Sequence, residues 1–306
     1  MQTTLKTSVR FDGIGLHSGK PVTMVVRPAP SGRGITFRRT DIEVGNALVP
    51  ARWNAVVPSK LCTLLRNDAG AEVSTVEHIM AALAGCGVTN ALIDIDGPEA
   101  PIMDGSSAPF VDGILSVGLV DQDGPTVVLE ILETVEVRDG DVVARLSPSN
   151  EMRIDFDIDF ADAAIGRQSM SLNMANGSFV RELSHCRTFC RQSDVDAMRD
   201  NGLALGGTLE NAVVIDGDTV VSPGGFRTAD EAVRHKMLDA LGDLALAGAP
   251  ILGRYTGIRA GHAMTNKLLR KLFATDGAWR FVQCDASTAR RLPGVGVRAR
   301  DIPVYA

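Results

Sequence analysis

The chain has 306 residues, of which 45% are hydrophobic and 22% charged, and its formal net charge at pH 7 is −6. A chain of this length fits one large or two ordinary domains, and the composition is that of a globular protein. The acidic balance and the lack of a basic run argue against a nucleic-acid-binding protein. Because the N-terminus has no signal-peptide pattern and no apolar run approaches the ~18 residues of a membrane span, we expect a cytoplasmic protein.

The cysteines are few and scattered. There are 5, an odd number, which favours a reducing compartment over a disulfide framework. Cys186 and Cys190 lie close to His185 and resemble half of a zinc site. Because no second Cys or His pair stands at zinc-finger spacing, we interpret them as small buried residues.

The first part of the chain alternates short β-like segments with Gly- and Pro-rich turns. The segments are TTLKTSVRF, VTMVVRPA, ITFRRTD and NALVPA. A helix follows; Ser74 and Glu77 have the spacing of a capping box, and Gly85 or Gly87 ends it. The strand NALIDIDG, a Pro-rich loop and a helix in PFVDGILSVG come next.

The polar segment DQDGP, at 121–125, separates two apolar stretches and contains a Gly-Pro break. We therefore predict two domains, 1–122 and 123–306. The second begins with the strand-like segments TVVLEILETVEV, VVARLSP and MRIDFDIDF. Since strands precede helices in both halves, the order favours α+β layers over a doubly wound parallel sheet.

An unusual stretch follows these strands, over about 183–226. A short helical pattern and a β-like run in it predict a β-α-β insertion in the second domain. Val195, Met198, Leu203 and Leu205 form an apolar set there. Ordinary core packing explains this set about as well as an apolar lining does.

The clearest helix pattern is TADEAVRHKMLDALGDLALAG, from Thr228 to Gly248. Thr228 and Glu231 have the spacing of a second capping box, so the helix is expected to start near Ala229. Gly248 is the predicted stop signal. A strand in ILGRYTGIR and a helix in TNKLLRKLFA complete the chain.

One face of this helix is polar. His235, Asp239 and Asp243 follow each other at four-residue spacing, which stacks them on one side. Two like charges on one face disfavour an isolated helix by roughly 0.2–0.5 kcal/mol, so a cation is expected nearby. A solvated face offset by Arg234 or Lys236 is the commoner arrangement. A metal site needs further ligands from elsewhere.

The two halves share a short repeat. EHIMAALAG and RHKMLDALG align without gaps, and each is followed by a strand and then a helix. A duplicated unit of one sheet and two helices is the natural inference, although so short an alignment also arises by chance. The matched pairs are His78 with His235, Met80 with Met237, and Gly85 with Gly242.

These residues fit a catalytic metal centre. His235 and Asp239 offer two ligands from one helix, and His78 from the matching helix offers a third. Three protein ligands leave the fourth position of a catalytic zinc to water. Glu77, directly before His78, could act as the general base, although a capping role explains this residue equally well. His262 could protonate a leaving amine, although a lone histidine is more often structural.

Several longer motifs resemble one known family. The motifs are GIGLHSGK, STVEHIMAALAG, PIMDGSSAPF, RTF, LGG, FRTADEAVRHKMLDALGDLALAG and GHAMTNKLL. Together they are similar to the UDP-3-O-acyl-N-acetylglucosamine deacetylase family, the zinc amidases of lipid A biosynthesis. The resemblance implies two duplicated layered α+β domains with the helices packed between the sheets. It also implies that the insertion forms a passage for an acyl chain.

The resemblance assigns roles residue by residue. It implies one zinc ion per chain, bound by His78, His235 and Asp239. The implied catalytic residues are Glu77 as base, His262 as acid, Asp243 as the carboxylate that orients His262, Thr188 as oxyanion donor and Lys236 as a substrate contact. The implied substrate-binding residues are Phe160, Phe189, Arg259, Val195, Leu203, Ala204, Leu61 and Cys62.

The chain departs from the family pattern at two places. Cys190 replaces the usual glycine after RTF, with Arg191 and Gln192 where apolar residues are typical, and Thr265 replaces an asparagine. We predict a monomeric zinc hydrolase that removes acetate from UDP-3-O-acyl-N-acetylglucosamine. The alternatives are a zinc amidase for another N-acyl amino sugar and a non-catalytic zinc-binding protein.

Overall fold

The computed structural model describes residues 1–42 and 47–303, and the described part of its first half contains two α-helices and a five-stranded sheet. The sheet has the order β2-β3-β9-β4-β5, in which β4 and β9 are parallel and the other pairs antiparallel. The elements are β1 (Gln2–Leu5), β2 (Val9–Ile14), β3 (Pro21–Pro28), β4 (Ile35–Arg39), β5 (Leu48–Pro50), β6 (Val56–Val57), β7 (Leu64–Arg66), β8 (Glu72–Val73), α1 (Glu77–Gly85), β9 (Ala91–Ile95), α2 (Ala108–Val117) and β10 (Leu119–Gln122).

Up to residue 303, the second half contains a seven-stranded sheet and four α-helices. β19 is central in this sheet, where it pairs with β11, β13 and β14. The elements are β11 (Val127–Ile131), β12 (Val135–Asp139), β13 (Val142–Pro148), β14 (Met152–Asp159), β15 (Arg167–Asn173), β16 (Phe189–Arg191), α3 (Gln192–Asp200), β17 (Val213–Asp216), β18 (Thr219–Val220), α4 (Glu231–Ala245), β19 (Ile251–Ile258), α5 (His262–Ala274), β20 (Trp279–Gln283) and α6 (Ala286–Ala289).

The predicted α+β class is confirmed, and the fold is built around the contact between α1 and α4. Both helices belong to one hydrophobic core, to which the first sheet contributes Met24 and Ile93 and the second contributes Ile154 and Phe156. This packing brings the polar N-terminus of α1 against the polar face of α4. Among the helices of the described residues, none combines the length and apolar character that a membrane-spanning helix requires.

The predicted β-α-β insertion is confirmed, because β16 and β17 pair in parallel with α3 between them. Its apolar set is mixed: Val195 is buried, whereas Leu205 is 58% exposed. The loop after α3 pairs with an early loop, where the Leu205 N–H donates to the His17 carbonyl at 3.2 Å. The GIGLHSGK and LGG motifs therefore lie side by side in the fold.

Both predicted capping boxes are wrong. α1 begins at Glu77 and α4 at Glu231, and neither has a side-chain N-cap. The Ser74 hydroxyl donates to the Pro98 carbonyl at 3.2 Å. The buried Glu231 carboxylate accepts bonds from the Arg187 guanidinium and from the Arg227 N–H, at 2.9 and 2.6 Å. Ser74 and Glu231 therefore bond to groups outside the two helices and do not form the predicted caps, and α4 starts two residues after the predicted Ala229.

Two strand predictions need correction. TTLKTSVRF forms two strands rather than one, because β1 pairs with β10 while β2 pairs with β3 in another sheet. TVVLEILETVEV likewise divides into β11 and β12. Of NALVPA, the residues from Leu48 to Pro50 form β5, and Asn46 lies outside the described residues.

The cysteine prediction holds in part. All 5 cysteines are free thiols. Cys186 is buried as predicted, but Cys190 is only half-buried.

The close approach of α1 and α4 requires Gly242. A Cβ added there would lie 2.1 Å from the Glu77 carbonyl oxygen. Gly242→Ala is therefore expected to push the helices apart and to lower the free energy of unfolding by about 1–3 kcal/mol, measured by urea denaturation. Gly97→Ala is the matched control, since its Cβ would meet its nearest neighbour at 3.5 Å. Equal stability of the two variants would contradict this account of the helix contact.

Candidate metal centre and active site

Three buried side chains converge where α1 crosses α4. His78 comes from the first turn of α1, and His235 and Asp239 come from successive turns of α4. Their ligand atoms all lie within 4.8 Å of one another. Asp239 Oδ1 is 3.3 Å from His235 Nε2 and 3.7 Å from His78 Nε2. The packing of the two helices thus brings together the three predicted metal ligands.

The chemistry of this group fits a divalent cation such as zinc. Asp239 Oδ1 is buried without a hydrogen-bond partner among the described residues. His235 Nδ1 lies 3.0 Å from the Cys186 carbonyl oxygen, which as an acceptor fixes the tautomer with a free lone pair on Nε2. Burial lowers the pKa of His235 and lowers that of His78 to about 3, so both imidazoles are neutral. Two imidazoles and one carboxylate are a donor set found in catalytic zinc sites.

The polar face of α4 is not a solvated stripe. Asp239 and Asp243 are only 5% and 3% exposed. Lys236 does offset one of them, because its ammonium donates to Asp239 Oδ2 at 2.7 Å. Arg234 instead pairs with Asp230 and Glu182, away from this face. The predicted alternative of a solvated face is therefore wrong, because the two carboxylates are buried. Its predicted contact between Lys236 and a carboxylate is present.

Glu77 lies at the N-terminus of α1, beside the three candidate metal ligands. It is 4% exposed, and its Oε1 is 3.8 Å from His262 Nε2. Burial raises the pKa of Glu77 to about 7, to which the nearby carboxylates of Asp239 and Asp243 also contribute, while His262 opposes them. A carboxylate with a pKa near neutrality is suited to accept a proton from water.

His262 is the first residue of α5 and faces three carboxylates. Its Nδ1 lies 2.8 Å from Asp243 Oδ2, and its Nε2 lies 3.9 Å from Asp239 Oδ2. Burial alone would lower the pKa of His262, but Asp243, Glu77 and Asp239 outweigh it and raise that pKa to about 9. The imidazole is therefore a cation at neutral pH and can donate a proton.

Thr63 is a site residue that the sequence analysis missed. Its hydroxyl donates to Asp243 Oδ1 at 2.5 Å, and its N–H donates to Glu77 Oε2 at 3.1 Å. No local motif indicates these contacts, because Thr63 and Asp243 are 180 residues apart. Its place directly after the predicted substrate residues Leu61 and Cys62 was the one available signal.

An aromatic pair lies next to the metal group. The Phe189 ring centroid is 6.3 Å from that of His235, and the Phe160 ring is 5.4 Å from Phe189 in an edge-to-face arrangement. Thr188, directly before β16, is half-buried, and its N–H donates to the Gly105 carbonyl at 2.7 Å. Thr188 and Phe189 thus lie on the segment that borders His235, and Phe160, directly after β14, packs against Phe189.

The other predicted substrate residues differ in exposure. Leu61 is 56% exposed, whereas Cys62 and Ala204 are each 6% exposed. Leu203 is half-buried. The Arg259 guanidinium, whose side chain is 43% exposed, is paired with Asp159.

The two departures from the family pattern are both accommodated by local contacts. The hydroxyls of Thr265 and Tyr255 are 3.0 Å apart in the core. Cys190 lies in β16, and burial raises the pKa of its thiol to about 11. Arg191, next to it, pairs with Asp194 at 3.0 Å.

A cavity of about 740 Å³ is separate from this group of residues. It is lined by the other end of α1 and α4, including Met80, Leu83, Leu241 and Leu244. Because its lining contains none of the converging ionisable residues described above, the site's chemistry does not extend into it.

Comparison with known proteins links this geometry to an activity. The model of a family described as "LpxC: UDP-3-O-acyl N-acetylglycosamine deacetylase" matches residues 2–274. A protein of Shewanella woodyi is 46% identical over 94% of this chain and 95% of its own length. One of Haemophilus influenzae is 45% identical over 92% of both chains, and one of Phenylobacterium zucineum is 47% identical over 91% of this chain and 95% of its own. All three are named UDP-3-O-acyl-N-acetylglucosamine deacetylase.

Proposed function

Because this chain belongs to the UDP-3-O-acyl-N-acetylglucosamine deacetylase family, we propose that it removes acetate from the 2-amino group of UDP-3-O-acyl-N-acetylglucosamine, using one zinc ion. The observation that supports this most directly is the unpartnered Asp239 Oδ1 between two neutral imidazoles, with Glu77 and His262 beside it. The reaction would be an early committed step of lipid A biosynthesis.

The zinc ion would be held by His78, His235 and Asp239. When bound there, it supplies Lewis-acid activation of water and of the amide carbonyl. Glu77 accepts the proton of the attacking water through its carboxylate. His262 donates the proton from Nε2 to the amide nitrogen as the C–N bond breaks, which releases acetate and leaves a free amine.

Three further residues have roles in the proposed reaction. Asp243 holds the His262 imidazole through Nδ1, so that Nε2 faces Glu77 and Asp239. Thr188 is proposed to donate a hydrogen bond to the oxygen that becomes negative in the transition state, which is worth ~3 kcal/mol in a dry site. The ammonium group of Lys236, which donates to Asp239 Oδ2, is also proposed to bind the substrate.

The substrate groups are assigned to surfaces around this centre. Phe160, Phe189 and Arg259 are proposed to meet the nucleotide-sugar. The insertion is proposed to hold the acyl chain. Within the insertion, the acyl chain would contact Val195, Leu203 and Ala204. Leu61 and Cys62, directly before Thr63, would complete this surface.

We also propose that the enzyme acts as a monomer in the cytoplasm. Its 5 free thiols support a reducing compartment.

Incubation of the purified protein with one equivalent of zinc and UDP-3-O-acyl-N-acetylglucosamine tests the proposal. Mass spectrometry should show loss of the acetyl group, with acetate released in equal amount. Intact substrate after prolonged incubation would overturn the assignment. A panel of other N-acyl amino sugars tests the alternative substrate class, which Cys190 and its neighbours next to Phe189 leave open.

A non-catalytic zinc-binding role is the second alternative. A closed structural zinc site has four protein ligands, whereas three converge here among the described residues. Glu77 and His262 also have shifted pKa values of the kind that acid–base catalysis uses.

The rate should depend on pH in a bell-shaped manner. Glu77, with a pKa of about 7, must be deprotonated, so kcat/KM falls as the pH decreases through that value; a bound cation moves this limb lower. His262, with a pKa of about 9, must be protonated, so kcat/KM falls again as the pH rises through that value; a cation bound at Asp239 moves this limb lower as well. Acetate-release rates from pH 5 to 10 measure both limbs. A rate that kept rising above pH 9.5 would exclude His262 as the acid.

A further inference from the structure

We infer that Thr63 is a positioning residue of the deacetylation reaction, which joins the general base Glu77 and the orienting carboxylate Asp243 in one hydrogen-bonded unit. The inference rests on the proposed function. Thr63 does not itself meet the reacting atoms in this account. It acts through the two carboxylates that do the proton transfers or direct them.

The contacts of Thr63 reach both site helices. Its hydroxyl donates to Asp243 Oδ1 on α4 at 2.5 Å, and its N–H donates to Glu77 Oε2 on α1 at 3.1 Å. Its carbonyl accepts the Val76 N–H, just before α1, at 3.5 Å. Thr63 is 3% exposed, so water does not compete for these bonds. One residue thus uses its side chain and its backbone to connect α1 with α4.

The hydroxyl contact determines which oxygen of Asp243 faces His262. Asp243 Oδ1 is bonded to Thr63, and Oδ2 is 2.8 Å from His262 Nδ1. A carboxylate that is bonded at one oxygen can still rotate about its terminal side-chain bond, whereas bonds at both oxygens fix its plane. Short O–H···O⁻ bonds to a charged acceptor are about twice as strong as neutral ones. The direction of the imidazole therefore depends on Thr63.

The backbone contact does the same for the general base. With Oε2 bonded to the Thr63 N–H, Oε1 of Glu77 is left 3.8 Å from His262 Nε2. The base and the acid are therefore oriented by one residue between them.

Backbone strain on both sides of the unit supports this assignment. Leu61, two residues before Thr63, has φ +73°, and Thr75, two residues before Glu77, has φ +57°. Residues other than glycine rarely adopt such angles, and they persist where surrounding contacts impose them, often at functional sites. The bonds of Thr63 join these two strained segments.

Replacement of the hydroxyl tests the inference. Thr63→Val keeps the shape and the backbone N–H but removes the bond to Asp243. We expect kcat to fall about 10- to 100-fold, which is the usual effect of removing a residue that orients a catalytic side chain. KM should change less than about threefold. Thr63→Ser, which restores a hydroxyl, should recover most of kcat. Thr63→Ala repeats the test if the valine variant does not fold.

Thr4→Val is the matched control for loss of a buried threonine hydroxyl. Thr4, in β1, is 5% exposed and donates to the carbonyl of Asn90, directly before β9, at 2.7 Å. Its replacement should lower the melting temperature and leave kcat unchanged. A Thr63→Val variant that behaved in the same way would show that Thr63 is merely structural.

A double-mutant cycle identifies the partner through which Thr63 acts. If its hydroxyl works through Asp243, Thr63→Val should reduce kcat little further in an Asp243→Ala background. Multiplicative losses, or a serine variant as slow as the valine variant, would overturn the inference. All these comparisons require a wild-type protein that releases acetate. An inactive wild type would contradict the proposed function instead, so the two failures are distinct.

Discussion

His78→Ala and Asp239→Ala are expected to lose bound zinc and to lower kcat/KM by about 10³-fold or more, because Lewis-acid stabilisation is worth several kcal/mol. Removal of His78 leaves Asp239 Oδ1 with one neighbouring imidazole, 3.3 Å away. Two ligands from one helix hold zinc much more weakly than three. Metal analysis of the gel-filtered variants and acetate-release rates measure both effects.

Asp94→Ala is the control for these ligand variants. Asp94 is 6% exposed and paired with Arg27 and Arg38 in the first sheet. Its loss removes a buried carboxylate without touching the site, so it should lower stability and keep the zinc. If the ligand variants retained stoichiometric zinc, the assigned ligand set would be wrong.

Glu77→Gln should reduce kcat by about 10²- to 10⁴-fold, the usual contribution of a general base. The substitution preserves size, and the amide oxygen still accepts the Thr63 N–H that bonds Glu77 Oε2 at 3.1 Å. Zinc content should stay at one equivalent, which separates this variant from those at the ligands. The acidic limb of the pH profile should disappear with it.

A Glu77→Gln variant within tenfold of the wild-type rate would contradict the role of Glu77. In that case another group must take the proton. Asp239 and Asp243 are the neighbouring carboxylates; Lys236 bonds Asp239 Oδ2, and His262 bonds Asp243 Oδ2.

Local sequence signals predicted the helices well but misplaced their beginnings. The apolar pattern of α4 is a property of the segment itself, so the helix was recognisable. The partner of Glu231 was not, because Arg187 is 44 residues away and no pattern links the two. The same reason applies at Ser74, whose hydroxyl bonds Pro98, 24 residues away.

The candidate site shows the same division. His235 and Asp239 were visible as neighbours on one helix face, and the repeat around His78 indicated a third ligand. From the sequence alone, Glu77 could equally be a capping residue and His262 a structural histidine. The family resemblance assigns both to the site, and the packing brings them close together. Thr63 has no such signal, because its role arises only where two distant helices meet.

The duplication of the two halves and their boundary at 121–125 stay predictions. The polar segment includes the end of β10, which returns to pair with β1. That pairing gives a physical reason for a boundary after Gln122, because it joins the first and last strands of the first half.

Zinc titration of metal-depleted protein tests the central claim most directly. The protein is treated with a chelator, gel-filtered, and assayed for acetate release from UDP-3-O-acyl-N-acetylglucosamine as zinc is added. We expect no activity without zinc and a linear rise that ends at one equivalent per chain. Full activity in metal-free protein, or none at one equivalent, would contradict a zinc-dependent deacetylase built on His78, His235 and Asp239.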